Sequence, residues 1–167
     1  MSSGTAIIGV DITDVDQGTA TFALGARGAV DSQTGVREYI YAQYAASTAF
    51  TVGQCVVISA AGVATPATTT NVAAAQTAGR RVGVVVAAAA SLATAQFGWF
   101  QVYGISAVLA NTACGLNSSL FTTATAGQVD DAATLGVISG IVLNVTTGGA
   151  PAVTACTLNY PFINALA

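Results

Sequence analysis

The sequence predicts an all-β fold: a single β-barrel or β-sandwich domain with an extended N-terminal arm. Short runs rich in Val, Ile, Tyr, Phe and Thr are separated by glycine about every ten residues, as in sandwiches and barrels. Apolar residues make up 53% of the 167-residue chain, which is enough to bury one core. Only 7% of the residues are charged, against about 25% in an ordinary domain.

The predicted arm comprises residues 1–30, and the predicted β-rich domain comprises residues 31–167. The first 36 residues contain six glycines and four of the seven carboxylates, and their hydrophobic periodicity is weak. Such a segment favours an extended, partly ordered chain over a packed element. We place the boundary between the arm and the domain within residues 26–36.

The domain contains a set of roughly eight to ten predicted strands. Residues 38–44 (EYIYAQY) alternate large aromatic residues with smaller ones, as a half-buried strand does. Residues 81–87 (RVGVVVA) suit a strand that is buried on both faces. Residues 86–96 have high helix propensity, so a short helix there is an alternative to a tight connection. The strands are predicted at 38–44, 54–59, 63–66, 81–87, 97–103, 105–110, 120–125, 136–146 and 152–160.

The ionisable residues exclude several classes of function. The chain has no histidine and no lysine, its net charge is -3, and its cations are Arg27, Arg37, Arg80 and Arg81. Without histidine or lysine, no side-chain base is present to activate a serine or threonine nucleophile. Nucleic-acid binding needs clustered Lys and Arg on one face. We therefore expect no enzyme activity, no cofactor and no nucleic-acid partner.

The hydropathy pattern predicts no membrane partner. The longest apolar run, residues 135–145, is about half the length that a membrane-spanning helix needs. The first residues lack the basic and apolar regions of a signal peptide, so we expect a reducing cytosol. Cys55, Cys114 and Cys156 are then predicted to be small, buried apolar residues, with one disulfide as the alternative.

Two groups of carboxylates are candidate sites for chemistry. Asp11, Asp14 and Asp16 lack the spacing, glycine and distal glutamate of a calcium-binding loop, so we predict solvated side chains. Asp130 and Asp131 are adjacent, and adjacent strand residues point to opposite faces, so we predict a polar turn whose carboxylates do not converge. No metal site is expected at either place.

Three stretches of the chain occur in a recognisable order. The first joins Phe22-Ala-Leu-Gly25 to Glu38-Tyr-Ile-Tyr-Ala-Gln43, and the second joins Gly79-Arg-Arg-Val-Gly-Val84 to Phe97-Gly-Trp-Phe-Gln101 and Gly104. The third contains Leu120-Phe-Thr-Thr-Ala-Thr-Ala-Gly127, Asp130-Asp131 and Gly140-Ile-Val-Leu143. In this order, from Phe22 to Pro161, they resemble small capsid-associated proteins of tailed bacteriophages. The turn at residues 34–38 is longer than that of the family.

The resemblance implies a head decoration (cement) protein, a structural virion protein that binds outside the major capsid shell. Its implied partners are the major capsid protein and further copies of itself, as a homotrimer or, second, a dimer. It would be made in the cytoplasm of the host bacterium and would carry no catalytic residues. The alternatives are another virion component (tail tube, head fibre base or minor coat protein) and a carbohydrate-binding β-module that uses Trp99 and the nearby tyrosines.

The expected contact with the capsid or a sister subunit is apolar, since four arginines cannot supply a broad ionic interface. The apolar residues at positions 8, 10 and 12 have the spacing of a strand that pairs with an exposed sheet edge. Such a contact should persist in molar salt, where exposed ion pairs are screened. The residues expected at this contact are Ile8, Val10, Ile12, Phe22, Leu24 and Trp99.

Overall fold

The computed structural model describes residues 6–7, 10–72, 80–91, 93–133 and 136–164, with side chains described from residue 11 onward. Within these ranges the chain is β-structure with one short helix, which confirms the all-β prediction. The strands are β1 (Ala6–Ile7), β2 (Val10–Asp11), β3 (Asp16–Gln17), β4 (Arg27–Ser32), β5 (Gly35–Tyr44), β6 (Cys55–Ile58), β7 (Val63–Pro66), β8 (Arg81–Val85), β9 (Gln96–Ala110), β10 (Leu120–Thr122), β11 (Val129–Asp130), β12 (Val137–Leu143) and β13 (Ala152–Ile163). The helix, α1, is Thr69–Val72.

The long strand β9 belongs to two closed circuits of paired strands. Its first half pairs with β5, between Gln96 and Tyr103, and its second half pairs with β13, between Tyr103 and Ala110. The first circuit runs β9–β5–β7–β6–β8 and returns to β9. The second runs β9–β13–β12–β10–β11 and returns to β9. Closure of both circuits gives the domain its barrel character, because few strand edges are left unpaired.

Two apolar cores lie on either side of a wall formed by β6 and β8. Val56 and Val85 belong to the core of the first circuit, which also contains Tyr44, Phe50 and Phe100. The neighbouring positions on the same two strands face the other core, whose members include Cys55, Val57, Val82, Val84, Leu120, Leu143 and Leu158. A strand between two cores must be apolar on both faces, which explains the sequence at residues 81–87.

Residues 11–32 connect an edge of β9 to an edge of β5. Strand β4 pairs with β5 along its whole length, and β3 pairs with β9 through Asp16 and Phe97. Between these strands, the amide nitrogen of Gly25 donates to the carbonyl of Tyr41 at 2.8 Å. The third apolar cluster, here called the aromatic cluster, is formed by this segment together with β5 and β9 and comprises Ile12, Val30, Tyr39, Tyr41, Phe97 and Trp99. The position of the boundary between arm and domain stays a prediction.

The predicted strands at 97–103 and 105–110 form one continuous strand, β9. Gly104 has a positive φ of 89°, yet it keeps its register opposite Leu158, so the backbone turns without losing its partner. A glycine adopts this conformation without the steric cost that a Cβ would add. The other predicted strands correspond to β5, β6, β7, β8, β10, β12 and β13. Strands β1, β3, β4 and β11 and helix α1 were not predicted.

The helix considered at residues 86–96 does not form in the described part of that segment. Ala89 forms an isolated bridge with Phe50, with N–O distances of 2.8 and 3.1 Å, and the Tyr44 hydroxyl donates to the carbonyl of Ala87 at 3.1 Å. These bonds give the backbone polar groups partners that a helix would otherwise have supplied. Tertiary contacts therefore outweigh the helix propensity of the alanines.

Candidate interaction surfaces

An exposed sheet surface without charged residues lies on the outer side of β9, β12 and β13. Alternation along each strand turns one set of side chains into the second core and leaves the other set outside. Three of the outer side chains lie in one row across the strands, because Val142 is paired with Thr157 and Thr157 with Ile105. This surface, here called the uncharged face, comprises Ile105, Ala107, Leu109, Val142, Asn144, Val153, Ala155, Thr157 and Asn159.

The uncharged face exposes large aliphatic side chains. Ile105, Val142 and Val153 have 41%, 42% and 51% of their surface exposed. A groove of about 530 Å³ adjoins the face, and Val36 of the β4–β5 hairpin lines it together with Ile105. No residue that lines this groove is charged. Contiguous exposed apolar surface of this kind is typical of sites where one protein binds another.

The residues predicted to contact a partner have different environments. Ile12 and Trp99 are buried in the aromatic cluster, and Phe22 is half-buried against it. Leu24 is exposed, beside the turn that contains Gly62. Ile8 and the side chain of Val10 lie outside the described residues. Contact between any of these residues and a partner stays a prediction, but Ile12, Phe22 and Trp99 serve the fold of their own chain.

The aromatic cluster is held together by ring contacts and by one buried hydroxyl. The Phe22 ring centroid lies 5.3 Å from that of Tyr41 and 5.4 Å from that of Trp99. The Tyr41 hydroxyl donates to Asp16 and accepts a hydrogen bond from the amide of Thr21 at 3.1 Å. Burial, followed by the bond to Asp16, raises the pKa of Tyr41 to about 12. Asp16 is therefore not the solvated carboxylate that the sequence predicts, because it binds the segment to β5.

The position of Trp99 bears on the carbohydrate-binding alternative. A sugar-stacking residue must offer one face of its ring to the solvent, but Trp99 is only 3% exposed. Phe22 and Tyr41 lie against it, with centroid distances of 5.4 and 5.2 Å. The alternative therefore loses Trp99, and the nearby Tyr39 and Tyr41 are buried as well.

The carboxylates of Asp130 and Asp131 converge on Cys114, so the prediction that they point apart is wrong. Asp130 ends β11, and Asp131 lies beyond the strand, so the alternation of a strand does not separate the two side chains. Possible ligand atoms of the three residues lie within 4.8 Å of one another. The chain itself supplies their partners, since Asp130 accepts from Asn111 Nδ2 at 2.6 Å and Asp131 from the amide of Gly115 at 2.7 Å. We interpret the group as a set of hydrogen bonds that fixes the conformation of the loop after β9.

The three cysteines are buried and free, as predicted. Burial raises the pKa of Cys156 to about 12 and raises that of Cys55 further. Burial also raises the pKa of Cys114, and the carboxylate of Asp130, with an oxygen 3.6 Å from the Sγ, acts in the same direction. All three side chains are therefore thiols at neutral pH, which is the unreactive form.

Replacing Asn111 with alanine is expected to destabilise the protein in a pH-dependent way. Burial acts to raise the pKa of Asp130, but hydrogen bonds from Asn111, Ala132 and Cys114 outweigh it and hold the pKa below 3.8. A lowered pKa stabilises the fold above the unfolded value and ceases to do so as the pH falls through the folded value. Asn111→Ala should cost about 1.5 kcal/mol at pH 7, measured by urea unfolding.

The cost of this substitution should fade when the pH falls below 3.8 and Asp130 becomes protonated. Asn159→Ala is the matched control, because Asn159 is exposed and its side chain has no hydrogen-bond partner among the described residues. An Asn111→Ala cost that stays constant down to pH 2 would show that the charge of Asp130 has no part in it.

The uncharged face was not predicted, and the reason lies in the residues of β13. Its outer positions (Val153, Ala155, Thr157) and its inner positions (Thr154, Cys156, Leu158) are similar in size and polarity. The sequence alternation therefore did not show which side is buried. The one available signal was the absence of charge along the whole strand, which is unusual for a strand with an exposed side.

The fold and this surface together define an all-β protein with a face suited to contact with protein. In the described residues, no helix has the length and apolarity needed to cross a membrane. Comparisons with protein-family models, with curated proteins and with solved structures found no match for this chain.

Proposed function

We propose that this chain is a structural virion protein that binds the outside of a major capsid shell and stabilises it. The observation that carries the proposal is the uncharged face of β9, β12 and β13. A decoration protein has to adhere to many equivalent sites and to its own copies. An exposed aliphatic sheet surface supplies that adhesion through burial of apolar area, at about 25 cal/mol per Å².

The uncharged face also supports self-association as a homotrimer or a dimer. Two surfaces of the same kind repel each other when they carry like charges, but an uncharged face has no such penalty when copies meet. Val142 and Ile105 lie in one row, so a partner's aliphatic side chains can pack over both. Association would also increase the number of capsid contacts that each oligomer makes at once, so that weak individual contacts add through avidity.

A charge placed on the uncharged face is expected to weaken self-association. In Ile105→Asp/Val142→Asp, each carboxylate would have to be desolvated without a partner on association, at a cost of about tenfold in affinity for each. Sedimentation velocity across a concentration series should therefore show dissociation of the double variant at about a hundredfold higher concentration. A wild-type protein that is monomeric at high micromolar concentration would contradict this part of the proposal.

Leu116→Asp is the matched control, because Leu116 is 51% exposed and belongs to the loop after β9 rather than to the face. Thermal unfolding of all variants checks that the charge has not damaged the fold.

Binding to capsids tests the proposal as a whole. Purified protein is added to capsids that lack it, and bound protein is measured after sedimentation. The wild type should bind and stay bound in about 1 M salt, where the Debye length is about 3 Å. The double variant should bind more weakly, and Leu116→Asp should bind as the wild type does. Release of the wild type by moderate salt would count against an apolar contact.

A further inference from the structure

Three of the four arginines of the chain lie around two neighbouring cavities at one end of the first circuit. The first cavity, of about 360 Å³, is lined by Arg80 and Arg81 together with the turn between β6 and β7. The second, of about 300 Å³, is lined by Arg27 and Arg81 together with residues of β9 and β13. Both cavities share Arg81 and Ile40, so they are two parts of one opening, here called the arginine opening.

The arginine opening has no compensating negative charge among its described lining residues. Neither Arg80 nor Arg81 has a side-chain hydrogen bond or ion pair to another described residue. Arg27 lies over the ring of Tyr160, 5.7 Å from its centroid, which orients the guanidinium without neutralising it. The carboxylate of Glu38 accepts a hydrogen bond from the Tyr160 hydroxyl at 2.7 Å, and Glu38 does not line either cavity.

The walls of the second cavity are mainly apolar, and those of the first are partly polar. Ile40 is buried at the junction of the two cavities, Ile58 lines the first, and Val82 and Val102 line the second. A ligand that fits must therefore combine anionic groups with short aliphatic stems. Glutamate side chains have this composition, since two methylene groups precede each carboxylate, and guanidinium groups bind carboxylates with paired hydrogen bonds.

We propose that the arginine opening binds an acidic, extended segment of a partner protein, with glutamates at positions i and i+2. In an extended chain these two side chains point to the same side, about 7 Å apart, so neighbouring cavities can each receive one. The methylenes would contact the exposed ring of Tyr160, and the carboxylates would bind the arginines. This inference rests on the proposed function only in taking the partner to be a protein.

Short peptides test the spacing and the charge separately. The probe is acetyl-Ser-Glu-Ser-Glu-Ser-amide, and its binding to the full chain is measured by titration calorimetry at low salt. The same peptide with both glutamates changed to glutamine should bind at least about tenfold more weakly. Acetyl-Ser-Ser-Glu-Glu-Ser-amide carries the same charge on opposite sides of an extended chain, so it should also bind more weakly. Equal binding of all three peptides would overturn the proposal.

Single substitutions locate the site. Arg81→Gln should weaken binding of the probe about tenfold, because Arg81 borders both cavities, and Arg27→Gln and Arg80→Gln should each weaken it less. Arg37→Gln is the matched control, since Arg37 lies outside the opening and donates to Thr34 Oγ1 at 3.0 Å. Thermal unfolding confirms that each variant is folded. An Arg37→Gln loss equal to that of Arg81→Gln would show a general charge effect and would refute the site.

Two further binding measurements distinguish the possible outcomes. If inorganic phosphate or glutarate binds as tightly as the Glu-Ser-Glu probe, the opening is a small-anion site and the peptide proposal is wrong.

The Ile105→Asp/Val142→Asp variant should keep its affinity for the probe, because the uncharged face is separate from the opening. If Arg81→Gln no longer binds the probe but still binds capsids, the site is upheld, and the protein that supplies the acidic segment is a partner other than the capsid. No probe binding alongside intact self-association would refute this inference and leave the proposed function standing.

Discussion

Gly104→Ala is expected to cost about 3 kcal/mol or more of the free energy of unfolding. Gly104 has a φ of 89°, a conformation that costs an L-residue about 1–2 kcal/mol. An added Cβ would also press on the carbonyl oxygen of Val36, closer than real Cβ atoms approach, and would lie 3.2 Å from the Cα of Arg37. Both neighbours are backbone atoms, so neither can move aside as a flexible side chain could.

The location of Gly104 makes this cost global. At this residue β9 has just made its last pairing with β5, at Tyr103, and continues beside β13. Strain here disturbs both circuits, so chemical denaturation should show a lower midpoint for the whole domain. Gly148→Ala is the control, because nothing lies within 4 Å of the added Cβ and its φ is ordinary. Equal stability of the two variants would mean that β9 does not need the turn at Gly104.

Phe22→Ala is expected to expose Trp99 and to cost about 2–3 kcal/mol. A fully buried phenylalanine costs about 3–5 kcal/mol when truncated, and Phe22 is half-buried. Because Trp99 is the only tryptophan of the chain, its fluorescence reports this contact directly. The emission maximum should shift to longer wavelength in Phe22→Ala while the domain stays folded. Urea unfolding gives the loss of stability.

Leu24→Ala is the matched control from the same segment, since Leu24 is exposed and lies beside Gly62. It should leave the emission of Trp99 unchanged. An unchanged spectrum in Phe22→Ala would show that the segment does not cover Trp99 in solution. Deleting residues 1–24 removes Asp16 and Phe22 together, so release of such a variant from a capsid would also reflect a weakened domain.

The sequence by itself determined the class of the fold. Runs of β-branched and aromatic residues with regular glycines predicted most strands. The run at 81–87, which is apolar at nearly every position, correctly indicated a strand that is buried on both faces. The burial of all three cysteines also followed from residue type alone. These features are local, because each depends on residue type and on a period of two along a strand.

Only the tertiary structure decided how the strands close and which surfaces remain free. Residues 86–96 could not be assigned from propensity, because the partners that keep them out of a helix, Tyr44 and Phe50, lie about 40 residues away in the chain. Trp99 could not be assigned either, since its cover, Phe22, belongs to a segment that reads as a loose arm. Asp130 and Asp131 converge because β11 ends between them.

The two proposed contact surfaces have the same origin. Val142, Thr157 and Ile105 come from three strands and meet only through the register of the second circuit. Arg27, Arg80 and Arg81 come from two regions of the chain, and the first circuit brings them around Ile40. A sequence states which side chains exist, but strand pairing between distant residues decides which of them share a surface.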